Sequence, residues 1–391
     1  MSSEGKLKIC HVITRMIVGG AQENTLFTVV DHLAKGHEVV LVTGPSPGRE
    51  GKLLCNVDFP DFEIREFPSL VREISLRDDL RAYRELRKFF RERRFDVVHT
   101  HSSKAGVIGR AAAWAERVPV VVHTVHGQAF HPYEKPWKNF FYKAAERFAA
   151  KRCHRIYSVA QAMIEQCVAA GIAPREKYQV VYGGMEIGRF LYARRDGELR
   201  AQLGIPEDAR VIGAVARLFP LKGYEFLIPA AIEIAHGYRD VHFLIVGDGS
   251  MHDELLRVIA REGLSDRFHF AGLVPPDEVY RYIAQMDILW HLSLREGLPR
   301  SVVQALASGK PAIGFRLDGT PEVVIDGETG FCCEPEQIPG VVDCSRKLLD
   351  DPALAVRMGE NGRKLVAEKF DHHYMSDILE KEYLRLYAGR A

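Results

Sequence analysis

The chain has 391 residues, of which 47% are hydrophobic and 27% charged, and its formal net charge is +1. These values are ordinary for a folded globular protein, and the length favours two domains over a single core. A net charge so close to zero gives no reason to expect a nucleic-acid partner.

The charge is nevertheless distributed unevenly along the chain. Residues 70–155 hold 19 Lys and Arg against 9 Asp and Glu, a net +10, which leaves −9 for the rest of the chain. A basic face of this size predicts an anionic partner, either a membrane surface or a phosphate-bearing acceptor.

The cysteines and the N-terminal residues bear on the cellular compartment. Seven scattered cysteines without a C-x-x-C pair are typical of a reducing environment. The N-terminus lacks the apolar segment of a signal peptide, and no stretch approaches about 18 uncharged apolar residues. We therefore expect a cytoplasmic protein without a membrane span.

In the first half of the chain, short apolar runs alternate with helical patterns, which is typical of βαβ units and parallel sheets. The predicted helices cover 21–35, 78–94 and 134–152. The predicted strands cover 8–13, 38–43, 96–99, 118–123, 155–159 and 179–182.

The second half repeats this alternation after a polar join at 184–206, and a helical pattern begins again at 374. Ligands of open parallel sheets bind beyond the carboxyl ends of the strands, so site residues are expected there. The predicted helices are 224–236, 252–262, 276–286, 301–308 and 353–369, and the predicted strands are 210–216, 241–246, 268–270, 288–291 and 311–315.

The loop and short helix that follow strand 288–291 are the most informative part of the sequence. Glu296 lies in a loop with glycine and proline, and Ser301 with Gln304 matches the S-x-x-Q capping box that starts a helix. A helix N-terminus suits an anionic phosphate, and a nearby acid suits the hydroxyls of a sugar. One loop is therefore predicted to hold a sugar phosphate.

Two cations follow strand 210–216. Arg217 and Lys222 stand at a strand end beside a helix start, where a forked donor and a point charge suit a diphosphate. The alternative interpretation is a surface loop with two solvated cations.

The interval from Glu296 to Gln304 resembles the E-x7-E element of the retaining family-four glycosyltransferases, with an amide in place of the second acid. The resemblance extends over roughly residues 8–390. It implies an α/β fold of the GT-B type, in which two Rossmann-like domains with parallel sheets face a central cleft. We expect an acceptor-binding domain over 1–190, a domain for the nucleotide-sugar donor over 191–370, and a helix over 371–391 that crosses back to the first domain.

The resemblance also implies roles for individual residues. Arg217 and Lys222, in the spacing R-x4-K-G, would clamp the donor diphosphate, Glu296 would contact the sugar, and His126, in the pattern H-G-x-x-F, would lie near the reacting centre. These four are the expected catalytic residues. Further donor contacts are expected from Gly19, Gly20, Gly247, Leu273, Val274, Gly297, Leu298, Val302, Val303 and Gln304.

Several of these residues have a purely structural alternative. Gln304 either binds the ribose hydroxyls or only caps its helix, and Gly19 with Gly20 forms either a phosphate-contacting loop or a plain βα turn. His99 and His101 are also candidates at a strand end, ranked below His126, although isolated histidines are mostly structural.

The predicted function is that of a retaining, metal-independent hexosyltransferase. It moves a sugar from a UDP- or GDP-linked donor to an acceptor hydroxyl in the assembly of a cell-surface polysaccharide or a lipid-linked glycan. We expect no cofactor and no metal, since the sequence has no D-x-D pair. The alternatives are a nucleotide-sugar epimerase of the same fold and a non-catalytic nucleotide-sugar-binding partner of another transferase.

The expected partners are the nucleotide diphosphate sugar, a glycan or lipid-linked acceptor and an anionic membrane surface. Residues 78–94 and 134–152 combine cations with aromatics, and a basic amphipathic helix can lie on an anionic bilayer. This places the protein peripherally on the inner face of the plasma membrane. The alternative is a solvated helix whose apolar side faces the core.

Overall fold

The structure, a computed structural model, describes residues 5–46, 53 and 60–390. The chain divides into two compact units, which we call the first unit (Met1–Met185 with Asp371–Ala391) and the second unit (Glu186–Phe370). Each unit is built on its own parallel sheet with helices between consecutive strands.

The described part of the first unit contains a seven-stranded sheet. Its strands are β1 (Lys8–Ile13), β2 (Glu38–Thr43), β3 (Glu63–Glu66), β4 (Val97–His101), β5 (Val120–Val125), β6 (Arg155–Ser158) and β7 (Tyr178–Val180). They pair in parallel in the order β3-β2-β1-β4-β5-β6-β7. Helices α1 (Gly20–Ala34), α2 (Leu76–Arg93), α3 (Ser103–Ala115), α4 (Pro136–Ala150) and α5 (Gln161–Ala169) lie between the strands.

Strands of the first sheet are apolar on both faces. In β1, Cys10 and Val12 belong to one core cluster, whereas Ile9 and Ile13 belong to another. A parallel sheet covered on both sides needs such continuous apolar runs, which is why these strands are readable from the sequence.

The second unit has a six-stranded sheet among its described residues. Its strands are β8 (Arg210–Val215), β9 (Val241–Val246), β10 (Phe268–Gly272), β11 (Ile288–His291), β12 (Ala312–Phe315) and β13 (Gly330–Cys333), in the order β10-β9-β8-β11-β12-β13. The helices are α6 (Gly188–Leu191), α7 (Gly197–Gln202), α8 (Tyr224–Gly237), α9 (His252–Arg261), α10 (Val279–Ile283), α11 (Arg300–Ala307), α12 (Ile338–Asp350) and α13 (Pro352–Lys369).

The final helix, α14 (His372–Ala388), returns to the first unit and packs on α1. Its contact centres on Asp31, which is 4% exposed. The Asp31 carboxylate accepts a hydrogen bond from the Ser376 hydroxyl at 2.6 Å and lies 2.8 Å from His372 Nδ1 and 3.0 Å from His373 Nδ1. Burial raises the pKa of Asp31, but the hydrogen bonds from His372 and Ser376 outweigh it and leave the pKa below its usual value.

The structure corrects several predicted elements. Strand β4 continues to His101 because Thr100 and His101 pair with His123 and Thr124 of β5. No range was predicted for strands β3 and β13 or for helices α3, α5, α6, α7 and α12. The edge strand β3 reads Glu-Ile-Arg-Glu and is exposed at all four positions, so it carries no apolar pattern.

None of the helices within the described ranges combines the length and the apolar character that crossing a bilayer requires.

The Asp31 contact predicts how α14 stabilises the first unit. Replacing Asp31 by Asn should lower the free energy of unfolding by about 2 kcal/mol or more, because several hydrogen bonds to a buried carboxylate are weakened. Ionised Asp31 stabilises the fold above its unfolded-state pKa, and this contribution disappears as the pH falls through the lower folded-state value. The difference in the free energy of unfolding between the wild type and Asp31→Asn should therefore become smaller below about pH 4.

The matched control is Asp377→Asn, which removes a 2.5 Å contact to Lys35 on the same two helices but at a carboxylate that is 51% exposed. An exposed pair of this kind contributes below about 1 kcal/mol. Urea unfolding measures both variants, and equal losses in the two would contradict the role given to Asp31.

Candidate active site

A short ion pair joins the loops that follow β8 and β11. Lys222 Nζ donates to Glu296 Oε2 at 2.6 Å, and the two side chains are 23% and 25% exposed. Burial opposes ionisation of Glu296, but the charge of Lys222 and a smaller contribution from His291 hold its pKa below the usual value. Glu296 is thus an ionised acid with a cation against it.

Backbone contacts hold these two loops together. The Leu294 N–H donates to the Leu221 carbonyl at 3.0 Å, and the Ser293 hydroxyl lies 3.1 Å from the same oxygen and 3.4 Å from Glu296 Oε2. Gly223 has a φ of 84°, and a Cβ there would lie 2.0 Å from the Leu292 carbonyl oxygen. Glycine is required at this position for both reasons.

Arg217 lies in the same loop, next to the turn that follows β9. The Leu218 N–H donates to the Asp248 carbonyl at 3.0 Å. A Cβ on Gly247 would lie 2.1 Å from the Ala216 carbonyl oxygen, so the two backbones are in direct contact. The Arg217 guanidinium is 5.5 Å from the centre of the Phe219 ring. The structure therefore brings Arg217 and Gly247 together.

The turn after β9 is also tied to the end of β10. The Gly247 N–H donates to the Gly272 carbonyl at 2.9 Å. Leu273 and Val274 follow directly, with Leu273 64% exposed and Val274 buried. The predicted main-chain contact residues thus lie beside the Gly247 turn.

A further acid, Asp318, was missed by the sequence analysis. Its Oδ2 accepts from the Glu296 N–H at 2.8 Å, and the neighbouring Gly319 N–H donates to the Gly297 carbonyl at 3.1 Å. The available signal was an Asp-Gly pair just beyond strand β12, where a parallel sheet places its ligands. Asp318 positions the loop that carries Glu296.

The capping-box prediction for α11 is wrong. The helix begins at Arg300 with Pro299 as its N-cap, and no side chain caps it. Ser301 Oγ instead lies 3.5 Å from His291 Nδ1. In the described structure the Gln304 side chain makes no hydrogen bond, so its predicted capping role does not exist.

The predicted backbone donors differ in what they contact. The N–H groups of Val302 and Val303 both donate to the Pro299 carbonyl, at 3.1 Å and 3.2 Å, so they are engaged within the helix rather than open to a phosphate. Among the described residues, nothing accepts a hydrogen bond from the N–H groups of Gly297 or Leu298. Those two amides, beside Glu296, are the ones available to a ligand.

The first unit holds the remaining predicted residues. His126 follows β5 and, with Gly127 and Phe130, lines a small pocket. Its Nε2 lies 3.0 Å from His101 Nδ1. Gly19 is the N-cap of α1, with an extended φ of 169°, and Gly20 is the first helical residue. These two glycines form the βα turn after β1.

Tertiary structure also assembles groups of potential metal ligands that no sequence spacing indicates. Among the described residues, His11, His99 and His101 form one such group, and Asp31, His372 and His373 form another.

Two Rossmann-like units, each built on a parallel sheet, are the architecture of the GT-B fold. Residues 20–184 match the family described as glycosyl transferase 4-like domain, and residues 196–365 match the glycosyl transferases group 1 family. The chain belongs to the group 1 glycosyltransferases.

The chain is similar to other proteins over all or most of its length. It is 29% identical over 400 residues, with complete coverage of both chains, to UDP-Gal:alpha-D-GlcNAc-diphosphoundecaprenol alpha-1,3-galactosyltransferase of Escherichia coli. It is 26% identical to N-acetyl-alpha-D-glucosaminyl L-malate synthase of Bacillus anthracis, covering 90% of this chain and 89% of that one.

Solved structures share the fold. Anabaena HepE in complex with UDP and glucose superposes with a TM-score of 0.82 at 22% identity, covering 97% of this chain and 99% of that one. Sucrose-phosphate synthase from Thermosynechococcus elongatus gives a TM-score of 0.83 at 18% identity, covering 98% and 100%. At these identities the likeness establishes the GT-B fold.

The contact between Gly223 and Leu292 predicts a specific sensitivity. Gly223→Ala should destabilise the protein by about 2 kcal/mol or more, because a Cβ is disfavoured at this φ and meets a backbone oxygen. Gly237→Ala, at the end of the helix that Gly223 precedes, is the control, since a Cβ there contacts nothing within 4 Å. The control should change stability by less than about 1 kcal/mol. Thermal unfolding compares them, and a tolerated Gly223→Ala would contradict the described loop packing.

Proposed function

We propose that this protein is a retaining glycosyltransferase that moves a sugar from a UDP- or GDP-linked donor to an acceptor hydroxyl. The second unit binds the donor, and the first unit binds the acceptor. The observation that carries this proposal is the Lys222–Glu296 pair at the carboxyl edge of the second sheet. It places a cation for a phosphate directly against an acid for sugar hydroxyls.

The donor diphosphate is held by Arg217 and Lys222. Negative charge builds on the diphosphate as the sugar leaves, and fixed cations lower the energy of that state. Both residues lie in the loop after β8, which Gly223 and Gly247 allow to pack against its neighbours. These cations supply the charge that a divalent metal supplies in other transferases, so the reaction is metal-independent.

The sugar and the nucleoside are held by neighbouring loops. Glu296 accepts hydrogen bonds from sugar hydroxyls, and the N–H groups of Gly297 and Leu298 donate to the donor. Leu273 and Val274 contact the base through their main chain, and Gln304 contacts the ribose with an amide rather than a carboxylate. His126, in the first unit, is the proposed catalytic residue near the reacting centre.

The acceptor is a glycan carried on a membrane lipid. The Escherichia coli relative is named for a diphosphoundecaprenol-linked acceptor and a UDP-Gal donor. That name supports a lipid-linked acceptor for this chain, and the HepE complexes with UDP support a uridine nucleotide. The basic segment over residues 70–155 supports an anionic acceptor or surface.

We assign docking on an anionic bilayer to helix α4. Trp137, Phe140 and Phe141 form a stripe at helical spacing and are 60%, 67% and 61% exposed. Lys138 lies beside this stripe, with its Nζ 5.9 Å from the centre of the Trp137 ring. Exposed aromatics flanked by cations are typical of a helix that lies in a membrane interface.

Helix α2 is less suited to this role, although it is more basic, with 7 cations against 4 acids (net +3) compared with 3 against 1 (net +2) for α4. Arg87 and Arg91 form ion pairs with Glu116, and Arg93 pairs with Glu63. Lys138 of α4 is paired as well, 3.4 Å from Glu134. The exposed aromatic stripe is therefore what makes α4 the better candidate for the membrane face.

The diphosphate site predicts that Arg217→Ala and Lys222→Ala each lower kcat on the order of 10²-fold or more, since a group that stabilises the departing charge is lost. Arg239→Ala is the control, an exposed cation that lies just before β9 at the opposite edge of the same sheet. Circular dichroism checks that the fold is retained.

The assay uses a panel of nucleotide sugars with lipid-linked glycan acceptors and monitors both products. If the Arg217 and Lys222 variants transfer sugar at the wild-type rate, these two residues do not form the diphosphate site. A new sugar nucleotide formed without acceptor would identify an epimerase, and donor binding without turnover across the panel would identify a non-catalytic binder.

The α4 surface predicts binding to anionic vesicles. The wild-type protein should sediment with phosphatidylglycerol vesicles and dissociate as ionic strength rises, because the attraction is screened. The double substitution Phe140→Ser and Phe141→Ser should abolish sedimentation. Val356→Ser, at a side chain on α13 that is 60% exposed, should leave it unchanged. If the wild-type protein does not sediment with the vesicles, or if its sedimentation does not depend on ionic strength, α4 does not dock on an anionic bilayer.

A further inference from the structure

Two histidines on the adjacent strands β1 and β4, and a third just after the neighbouring strand β5, form a hydrogen-bonded chain that ends at His126. His11 Nδ1 lies 3.0 Å from His101 Nε2, and His101 Nδ1 lies 3.0 Å from His126 Nε2. Parallel pairing of β1 with β4, and of β4 with β5, produces this arrangement. His11 and His101 are almost fully buried, at 0% and 1% exposed.

The two links must run in the same direction. A neutral imidazole has one N–H donor and one lone-pair acceptor. His101 uses Nε2 towards His11 and Nδ1 towards His126, so it donates through one nitrogen and accepts through the other. If the hydrogen of His11 is on Nδ1, His101 must donate from its own Nδ1, and Nε2 of His126 is then the acceptor.

The far end of the chain determines this direction. His11 Nε2 is buried and has no hydrogen-bond partner. Buried N–H groups without a partner are rarer than under-satisfied acceptors, so the hydrogen belongs on Nδ1 of His11. His11 then donates to His101 Nε2, and His101 donates from Nδ1 to His126 Nε2.

Burial keeps both inner rings neutral. It lowers the pKa of His11, with a further contribution from His32, and it lowers the pKa of His101, to which His99, His126, His11 and His123 also contribute. His99 is not part of the chain, because its Nε2 lies 2.7 Å from Thr124 Oγ1 and its Nδ1 contacts the Tyr383 hydroxyl.

We propose that His101 and His11 are positioning residues that hold His126 with its hydrogen on Nδ1 and its Nε2 lone pair occupied. In this state His126 cannot take up a proton at Nε2 unless both histidine–histidine hydrogen bonds reverse their direction. With its hydrogen on Nδ1, His126 acts in the proposed reaction as a hydrogen-bond donor rather than as a general base. This last role rests on the proposed glycosyl transfer, whereas the tautomer itself does not.

A bound metal is the competing explanation for the cluster. The nitrogens of His11, His99 and His101 lie within 4.8 Å of one another. Three neutral imidazoles can hold zinc, but a divalent ion here would need lone pairs that the hydrogen bonds of His11, His99 and His101 already use. Metal content is therefore measured as part of the test.

The experiment is a two-bond nitrogen–hydrogen correlation spectrum of the full-length protein labelled with ¹⁵N-histidine, without any sugar nucleotide. His126→Gln assigns the signal. In the wild type, Nε2 of His126 should resonate as an unprotonated nitrogen and Nδ1 as a protonated one. His101→Leu should shift the hydrogen to Nε2, whereas His101→Asn, which keeps an N–H donor near the Nδ1 position, should retain the wild-type pattern.

Three results would overturn the proposal: an Nε2–H tautomer in the wild type, an unchanged pattern in His101→Leu, or one equivalent of zinc by elemental analysis. The wild-type spectrum is decisive even if His101→Leu does not fold. Since no substrate is present, this result is independent of the transfer assay, and a failure of the proposed function would leave the tautomer unaltered.

Discussion

The second unit is organised around two opposite charges held 2.6 Å apart at partly buried positions. Lys222 and Glu296 come from loops after adjacent strands, and each limits the desolvation cost of the other. Removing either one would leave a charge without compensation. The contacts made by Gly223, Leu294 and Asp318 hold the two loops against each other. These contacts are what keep Lys222 and Glu296 within ion-pair distance.

This arrangement shows why part of the site was predictable from the sequence. Arg217, Lys222 and Glu296 were identified individually because each follows a buried apolar strand and stands in a recognisable spacing. Their contacts were not predictable, since Lys222 and Glu296 are 74 residues apart and only strand order brings them together. Asp318 was missed for the same reason.

The errors also have physical causes. Ser301 and Gln304 match the sequence pattern of a capping box, which requires Ser301 to be the N-cap. The N-cap is Pro299 instead, so the helix starts two residues earlier and Ser301 contacts His291. Strands β1, β2, β9 and β11 were predicted to the residue because both faces are apolar. The exposed strand β3 has no such pattern. Likewise, the histidine chain depends on the register between three strands, which no local pattern records.

The path of the chain has a consequence for synthesis on the ribosome. Domains generally fold in order as they emerge. The second unit is continuous in sequence, whereas α1 of the first unit packs on α14, which is synthesised only after the second unit. Until then Asp31 lacks Ser376 and His372, and the apolar side chains that later pack on Met375 and Leu379 remain open. The first unit therefore completes its packing around α1 only after the second unit has been synthesised, and truncation within α14 would destabilise α1, which lies far from it in sequence.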